Sequence, residues 1–185
     1  MTEHADRHAA ALELDGLWLR APTDSRGLRD VLGTFATGVT VVTTAAADGT
    51  PVGLTVSSFN AVSLDPPLVL WSLGQDAGCA PAFEQAGHFA VHVLGASGEA
   101  LSNLFATPDA DRFGATPWRR HEACGGVPLL LPSPADAVIG RFVCAVHERV
   151  QAGDHTIFIG EVKEAALREG APLLYARGSY GRLAT

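Results

Sequence analysis

Hydroxyl side chains crowd two stretches that otherwise read as buried strand. GVTVVTT alternates Val39, Val41 and Thr43 with Thr40, Val42 and Thr44. LTVSSF places Thr55 and Ser57 on one face, with Val56 and Ser58 on the other. The run Ser57-Ser58-Phe59 ends where the chain leaves the sheet. Consecutive backbone N–H groups and hydroxyls there could hold an anion without lysine or arginine. One neutral hydrogen bond adds only about 1 kcal/mol net, so several must converge. Thr and Ser are also ordinary residues of a half-exposed sheet, and the pattern leaves both readings open. His155 is the second candidate. It follows Gly153-Asp154 at a turn and starts a strand. An imidazole there can orient or polarise a redox substrate, although a surface turn histidine is the plainer reading.

Other chemistries leave no trace. No G-x-G, no G-K-[ST] and no G-x-S-x-G occurs, so the dinucleotide fingerprint, the P-loop and the nucleophile elbow are missing. His121 and Cys124 stand close in sequence, but no second ligand pair has metal spacing, so the sequence alone gives no metal site. Asp109 and Asp111 lie in a polar loop and read as solvated. The net charge of -7 argues against a nucleic-acid partner, and Lys163 is the only lysine. Three cysteines, Cys79, Cys124 and Cys144, with no C-x-x-C, fit a reducing cytoplasm better than a disulfide scaffold. The first residues lack the apolar core of a signal peptide, and no apolar run is long enough to span a bilayer. A cytoplasmic protein with no membrane partner is expected.

The elements that must position these residues are mostly strands. The 185 residues suit one domain with a full core. Residues 1–24 read as a flexible N-terminal extension, and residues 25–185 as the folded domain. Asp24 or Ser25 can cap a helix carrying Leu28, Val31, Leu32 and Phe35 at helical spacing, ended by Gly38. Asp48-Gly49 between β-branched runs signals a hairpin. NAVSLDPPLVLWSL gives two short strands parted by Pro66 and Pro67. CAPAFEQAG and GEALSNLFA read as helices, with HFAVHVL a strand between them. Thr107 to Pro134 reads as irregular, with one short strand at VPLLL. DAVIGRFVCAVHERVQ and GDHTIFIGEVKEAAL read as two long strands joined at GDH, and PLLYARGSYGRL as a last strand. Strands joined by short turns, with short interspersed helices, suggest a mainly antiparallel barrel and not a doubly wound sheet.

Taken in order, GVTVVTT, GLTVSSFNAVSLDPPLVLWSL, FAVHVL, LFA, RF, GDHTIFIGEV and PLLYARGSY resemble the flavin reductase-like family, the small reductases of two-component flavin monooxygenases. The resemblance covers about residues 28–183. It implies an FMN-binding split barrel with short peripheral helices, and a homodimer with flavin near the subunit interface. It implies reduction of FMN or FAD by NADH or NADPH, with reduced flavin leaving for a partner monooxygenase. Carried over by position, Gly38, Val39, Thr40 and Val41 would line the isoalloxazine ring. Thr55, Val56, Ser57, Ser58 and Phe59 would bind the ribityl chain and phosphate. Ser72, Leu73 and the following loop with Gly78 would close over the same groups. Gly153, Asp154 and His155 would meet the nicotinamide, with Tyr180 packed on the nucleotide and His155 as the catalytic residue. On this reading the strand hydroxyls face a flavin tail. Hydride transfer between two stacked rings needs no general acid or base, so the protein acts by alignment.

Two departures from the family pattern stand out. The loop GQDAGCAPAF has Ala77 and Gly78 in place of hydroxyls and Gln75 in place of a cation, which implies weaker phosphate binding or a shift onto backbone N–H groups. His92 stands where Asn is common. Rival readings are a split-barrel flavoprotein used for electron transfer, one that acts on a different organic substrate, and an interaction module with no cofactor.

Overall fold

The computed structural model describes residues 12–14, 17–19 and 25–184. The chain divides into two units, residues 1–35 and 36–185. In the first, strands β1 (Leu12–Leu14) and β2 (Leu17–Leu19) pair antiparallel, where no element was expected. The rest of the expected extension over residues 1–24 lies outside the described residues. Helix α1 (Ser25–Leu32) forms where the apolar spacing predicts it. It stops earlier than expected: Gly33 N–H donates to the Arg29 carbonyl at 2.7 Å, and Gly38 belongs to a strand instead. Leu28, Val31, Leu32 and Phe35 are all exposed.

The second unit runs β3 (Thr37–Gly38), β4 (Thr40–Ala45), β5 (Pro51–Val56), β6 (Asn60–Leu64), β7 (Pro67–Gly74), α2 (Ala80–Gln85), β8 (His88–Leu94), α3 (Glu99–Ala106), α4 (Arg112–Ala115), β9 (Trp118–His121), β10 (Val127–Leu130), β11 (Val138–Ala152), β12 (His155–Leu167), β13 (Leu174–Ala176) and β14 (Ser179–Gly181). Seven strands form one antiparallel sheet in the order β5-β4-β8-β11-β12-β7-β6. Strands β14-β13-β3 form a second sheet, and β9 pairs with β10. The segment after Thr107 is therefore more regular than its Pro and Gly content suggests. The last strand is a hairpin, β13 with β14. Pro67 opens β7 opposite Leu64, so the two prolines make a turn between paired strands.

Turn chemistry acts where expected. Gly49 takes φ +82°, and the Asp48 carboxylate accepts the Thr50 N–H at 2.9 Å. Gly153 takes φ +63° between β11 and β12. Both need a residue without a Cβ penalty at positive φ. Among the described residues no helix is long and apolar enough to cross a membrane.

The main core draws on six strands, β4, β5, β7, β8, β11 and β12, together with α2. Trp71 stacks on Phe158 with ring centroids 4.7 Å apart and meets Phe83 edge-on at 4.9 Å. Phe89 lies over Gly160, where any Cβ would collide with its ring and come within 2.9 Å of the Cys144 Cβ. Phe89 and Cys144 are both at most 1 % exposed, so neither can retreat without repacking. Gly160→Ala is expected to destabilise the fold by about 1–3 kcal/mol through overpacking. A lower urea midpoint at unchanged slope would show it, and an unshifted midpoint would refute this account of Phe89.

Candidate functional site

Strand β5 ends the seven-stranded sheet and pairs with β4 alone. Beside it lies a cleft of about 860 Å³. One wall is β5 from Pro51 to Thr55. The others are the loop Ala77-Gly78-Cys79 and the chain from Phe105 to Phe113. Gly53 lets α3 approach this strand: a Cβ there would sit 3.0 Å from the Phe105 ring.

One cation lines the cleft. Arg112 is half-buried, and it donates from Nη2 to the Thr107 carbonyl at 2.8 Å. Its Nε is buried and has no partner in the chain. A buried guanidinium N–H without an acceptor is costly, and the part of Arg112 that lines the cleft can meet an anionic oxygen. Burial pushes the Cys79 thiol up, against smaller opposing effects of a backbone hydrogen bond and of the Arg112 charge. Asp111 also lines it, but its carboxylate caps α4 by accepting the Gly114 N–H at 2.9 Å. Sequence reasoning assigned Arg112 no role. Its only signal was the pair Arg112-Phe113 within the family resemblance.

The structure separates the expected residues by what they still offer. Thr55 and Gly78 line the cleft. Most hydroxyls are already engaged. Thr40 Oγ1 donates to the Val56 carbonyl at 3.2 Å, and Thr55 Oγ1 to the Ser102 carbonyl at 2.7 Å. Ser58 Oγ donates to the Ser72 carbonyl at 3.1 Å and accepts the Ser72 N–H at 3.0 Å, which joins β7 to the end of β5. Ser57 is exposed with its hydroxyl free. The side chains of Val39, Val41 and Leu73 pack in the core, so a ligand could meet only their main chain. Gly38 is exposed in β3 opposite Leu174. Val56 and Phe59 pack against the main core. Tyr180 bonds to Ser102 Oγ at 2.8 Å and Asn103 Oδ1 at 2.9 Å, so it reaches Thr55 through α3.

Gln75 explains part of the unusual loop. Its amide donates to the Gln151 side chain, to the Gly153 carbonyl at 3.5 Å and to the His155 carbonyl at 3.4 Å. Its backbone N–H donates to the Asp154 carbonyl at 3.0 Å. The loop that borders the cleft is thus pinned to the Gly153-Asp154-His155 turn. His155 is half exposed, with Nδ1 2.7 Å from Asp154 Oδ1. A carboxylate only accepts, so Nδ1 carries a proton. The same bond holds the Asp154 carboxyl below its ordinary range, with the charge of His155 a lesser cause.

A family model described as the flavin reductase like domain matches residues 32–184. The chain belongs to the flavin reductase-like family. It is 45% identical over 159 residues to FMN reductase (NADH) SmoA of Agrobacterium fabrum, covering 86% of each chain. It is 40% identical over 162 residues to the reductase component of 4-nitrophenol 4-monooxygenase/4-nitrocatechol 2-monooxygenase of Rhodococcus opacus, covering 86% of this chain and 82% of that one. It spans about half, 48%, of a 43% identical relative, the reductase component of the flavin-dependent trigonelline monooxygenase of Acinetobacter baylyi. Among solved structures, NADH:FAD oxidoreductase SgcE6 of Streptomyces globisporus, in complex with NAD and FAD fragments, superposes with a TM-score of 0.78 at 39% identity over 90% of this chain and 96% of that one.

In this flavin reductase-like chain, the departure at His92 has a structural cause. The ring is fully buried. Nδ1 lies 3.1 Å from the Val41 carbonyl, and the Leu130 N–H donates to Nε2 at 3.1 Å. A carbonyl only accepts and an amide N–H only donates, so the ring is neutral with its proton on Nδ1. It joins β4, β8 and β10. Burial pushes its pKa down to about 3, the charge of Arg141 adds to that, and the Val41 carbonyl opposes it. The unfolded chain takes up this proton near pH 6.5, whereas the fold refuses it until about pH 3. Stability is therefore full above pH 6.5 and falls as pH drops toward 3, by about 1.4 kcal/mol per unit within that window. His92→Asn should flatten the fall in Tm between pH 7 and pH 5. Equal slopes for the two proteins would contradict the neutral clasp.

Proposed function

We propose that this protein is an NAD(P)H-dependent flavin reductase. It takes a hydride from NADH or NADPH to FMN or FAD and supplies reduced flavin to a partner monooxygenase. The observation that carries this reading is the cleft at the edge of β5, lined by Arg112 together with Thr55 and Gly78. The volume suits a ligand of nucleotide size. The relatives, an FMN reductase (NADH) and a monooxygenase reductase component, support the same chemistry.

Arg112 would hold the flavin phosphate, with free backbone N–H groups and Ser57 completing the cradle. This replaces the cation missing from the Gln75 loop. Bound flavin supplies the acceptor for hydride. The chain's part is to bind, align and shield. Gly153, Asp154 and His155 would meet the nicotinamide, and Gln75 fixes that turn against the loop beside the flavin. His155 would orient the nicotinamide through a ring whose tautomer Asp154 sets. Gly38 through Val41 would offer main-chain contacts to the flavin ring, and Tyr180 would support Thr55 through Ser102.

The sheet is read as a split barrel, since one core gathers side chains from both of its halves. A homodimer is the expected assembly. Leu64 and Leu167, 94 % and 91 % exposed, are apolar surface for a second subunit to cover. Three free cysteines fit a cytoplasmic location.

Two variants test the site in assays of NADH and NADPH oxidation with FMN and FAD. Arg112→Gln is expected to raise KM for flavin by about ten- to a hundredfold with kcat little changed, since a charge-assisted bond is worth about 1.5–3 kcal/mol. An unchanged KM would remove the phosphate from this cleft. His155→Ala should leave flavin affinity alone. It should raise KM for the nicotinamide or lower kcat by about tenfold, which is about 1.4 kcal/mol. Wild-type kinetics in this variant would separate the turn from the reaction.

A further inference from the structure

The hairpin of β9 and β10 is fastened to the sheet behind it near Leu130, and its turn end is tied by His121 and packed through Cys124. At Leu130 the clasp is His92 on the amide and Arg141 on the carbonyl, and Thr43 Oγ1 donates to the Pro128 carbonyl at 2.6 Å. The opposite end is the turn after His121. Gly126 N–H closes that turn on the His121 carbonyl at 3.1 Å, and Gly125 and Gly126 take φ +66° and +72°. Two consecutive positive φ values favour glycine, so the backbone here is set to one shape. That shape brings His121 and Cys124 together. The register of β11 and β12 places Glu164 opposite Val143, and Val143 packs with Cys124.

The result is a cluster of three chemically distinct ligands. His121 Nε2 lies 2.9 Å from Glu164 Oε1, and the ligand atoms of His121, Cys124 and Glu164 are all within 4.8 Å of one another. Cys124 is 6 % exposed and forms the floor. The Glu164 side chain, 56 % exposed, forms the open rim. We propose that His121, Cys124 and Glu164 form a mononuclear site for a borderline-soft divalent cation, Zn²⁺ being the fitting one, which pins the β9–β10 turn to β12.

The donor set decides the metal class. One thiolate and one imidazole favour Zn²⁺ over Mg²⁺ or Ca²⁺, which take oxygen ligands. Three protein ligands leave a fourth position for water on the exposed side. Zinc bonds of about 2.0–2.3 Å put tetrahedral neighbours roughly 3.3–3.7 Å apart, so the thiol must close on its partners by about 1 Å. Rotation of the exposed Glu164 and of the His121 ring can supply that without moving the strands. In the metal-free chain Glu164 only accepts, so His121 Nε2 carries the proton. Binding exchanges this hydrogen bond for metal bonds. The ring changes tautomer, its proton passing through solvent from Nε2 to Nδ1, and the thiol proton leaves to solvent as the metal–sulfur bond forms.

Co²⁺ is the probe, added to untagged full-length protein freed of metal with a chelator. One equivalent per chain is expected to give a thiolate-to-cobalt charge-transfer band with strong visible bands of four-coordinate cobalt, and Zn²⁺ should displace both. Cys124→Ala should lose the charge-transfer band. Glu164→Ala removes an exposed side chain and should fold normally, yet weaken Co²⁺ binding by about tenfold or more. His121→Ala should do the same. Zn²⁺ should raise Tm in the wild type and not in Glu164→Ala. No charge-transfer band in the wild type, a band that survives Cys124→Ala, or Co²⁺ affinity unchanged in Glu164→Ala would each overturn the site. If Cys124→Ala fails to fold, the Glu164 and His121 variants decide alone.

Discussion

Hydrogen bonding of the threonines and the histidine that enter this sheet organises the molecule, although Trp71 Nε1 and Arg141 Nε are buried there without a partner. A buried hydroxyl or imidazole left unpaired costs about 1–3 kcal/mol, a large share of a domain's net stability. The threonines of β4 avoid that cost by bonding to neighbouring main chain. Thr43 donates to β10, Thr44 donates to the His88 carbonyl, and Thr40 donates to β5. His92 does the same with both ring nitrogens. Groups that look like ligand contacts in the sequence are thus the fasteners of the scaffold. What the fasteners do not consume is the edge of β5 and Arg112 beside the cleft, and the exposed Ser57 hydroxyl.

The Gln75 loop shows how a missing charge can be compatible with anion binding. A cation in that loop would compete between an anion and the carbonyls of the adjacent turn. Gln75 instead serves the carbonyls of Gly153 and His155 and the side chain of Gln151, which fixes loop and turn as one body. The positive charge stands across the cleft on α4. There Asp111 is committed to capping the helix, so its carboxylate is less available to neutralise Arg112. Alignment of two flat rings depends on such rigidity, because small displacements in a near-attack geometry cost much of the rate.

What the sequence made legible was whatever depends on local chemistry. The Asp48-Gly49 hairpin, the alternation along β11 and β12, and the turn at Gly153 follow from φ preferences and a period of two, and all three stand in the structure. Strands β9 and β10 were harder to see. WRRH buries little, and its pairing with VPLL is fixed by His92, Thr43 and Arg141, all distant in sequence. The end of α1 was misread because Gly38 was the stronger stop signal, whereas Gly33 already closes the helix and Gly38 pairs with Leu174. Arg112 and Glu164 were invisible as site residues for one reason. Their partners come from other elements, and only the strand register brings Glu164 beside His121 and Cys124.

The position of the cleft follows from the same logic at the sheet edge. An edge strand presents unpaired N–H and C=O groups and invites pairing with another chain unless something covers it. β5 is covered unevenly. At Gly53 the Phe105 ring closes directly onto the strand, and Thr55 Oγ1 ties the same strand to α3 through the Ser102 carbonyl. Between these anchors and the Ala77-Gly78-Cys79 loop the edge stays open, facing Arg112. A flavin lying there would meet the Arg112 side chain that lines the cleft and shield the strand edge at once. Binding and protection of the sheet would then be one event, so loss of flavin should leave this edge open to association.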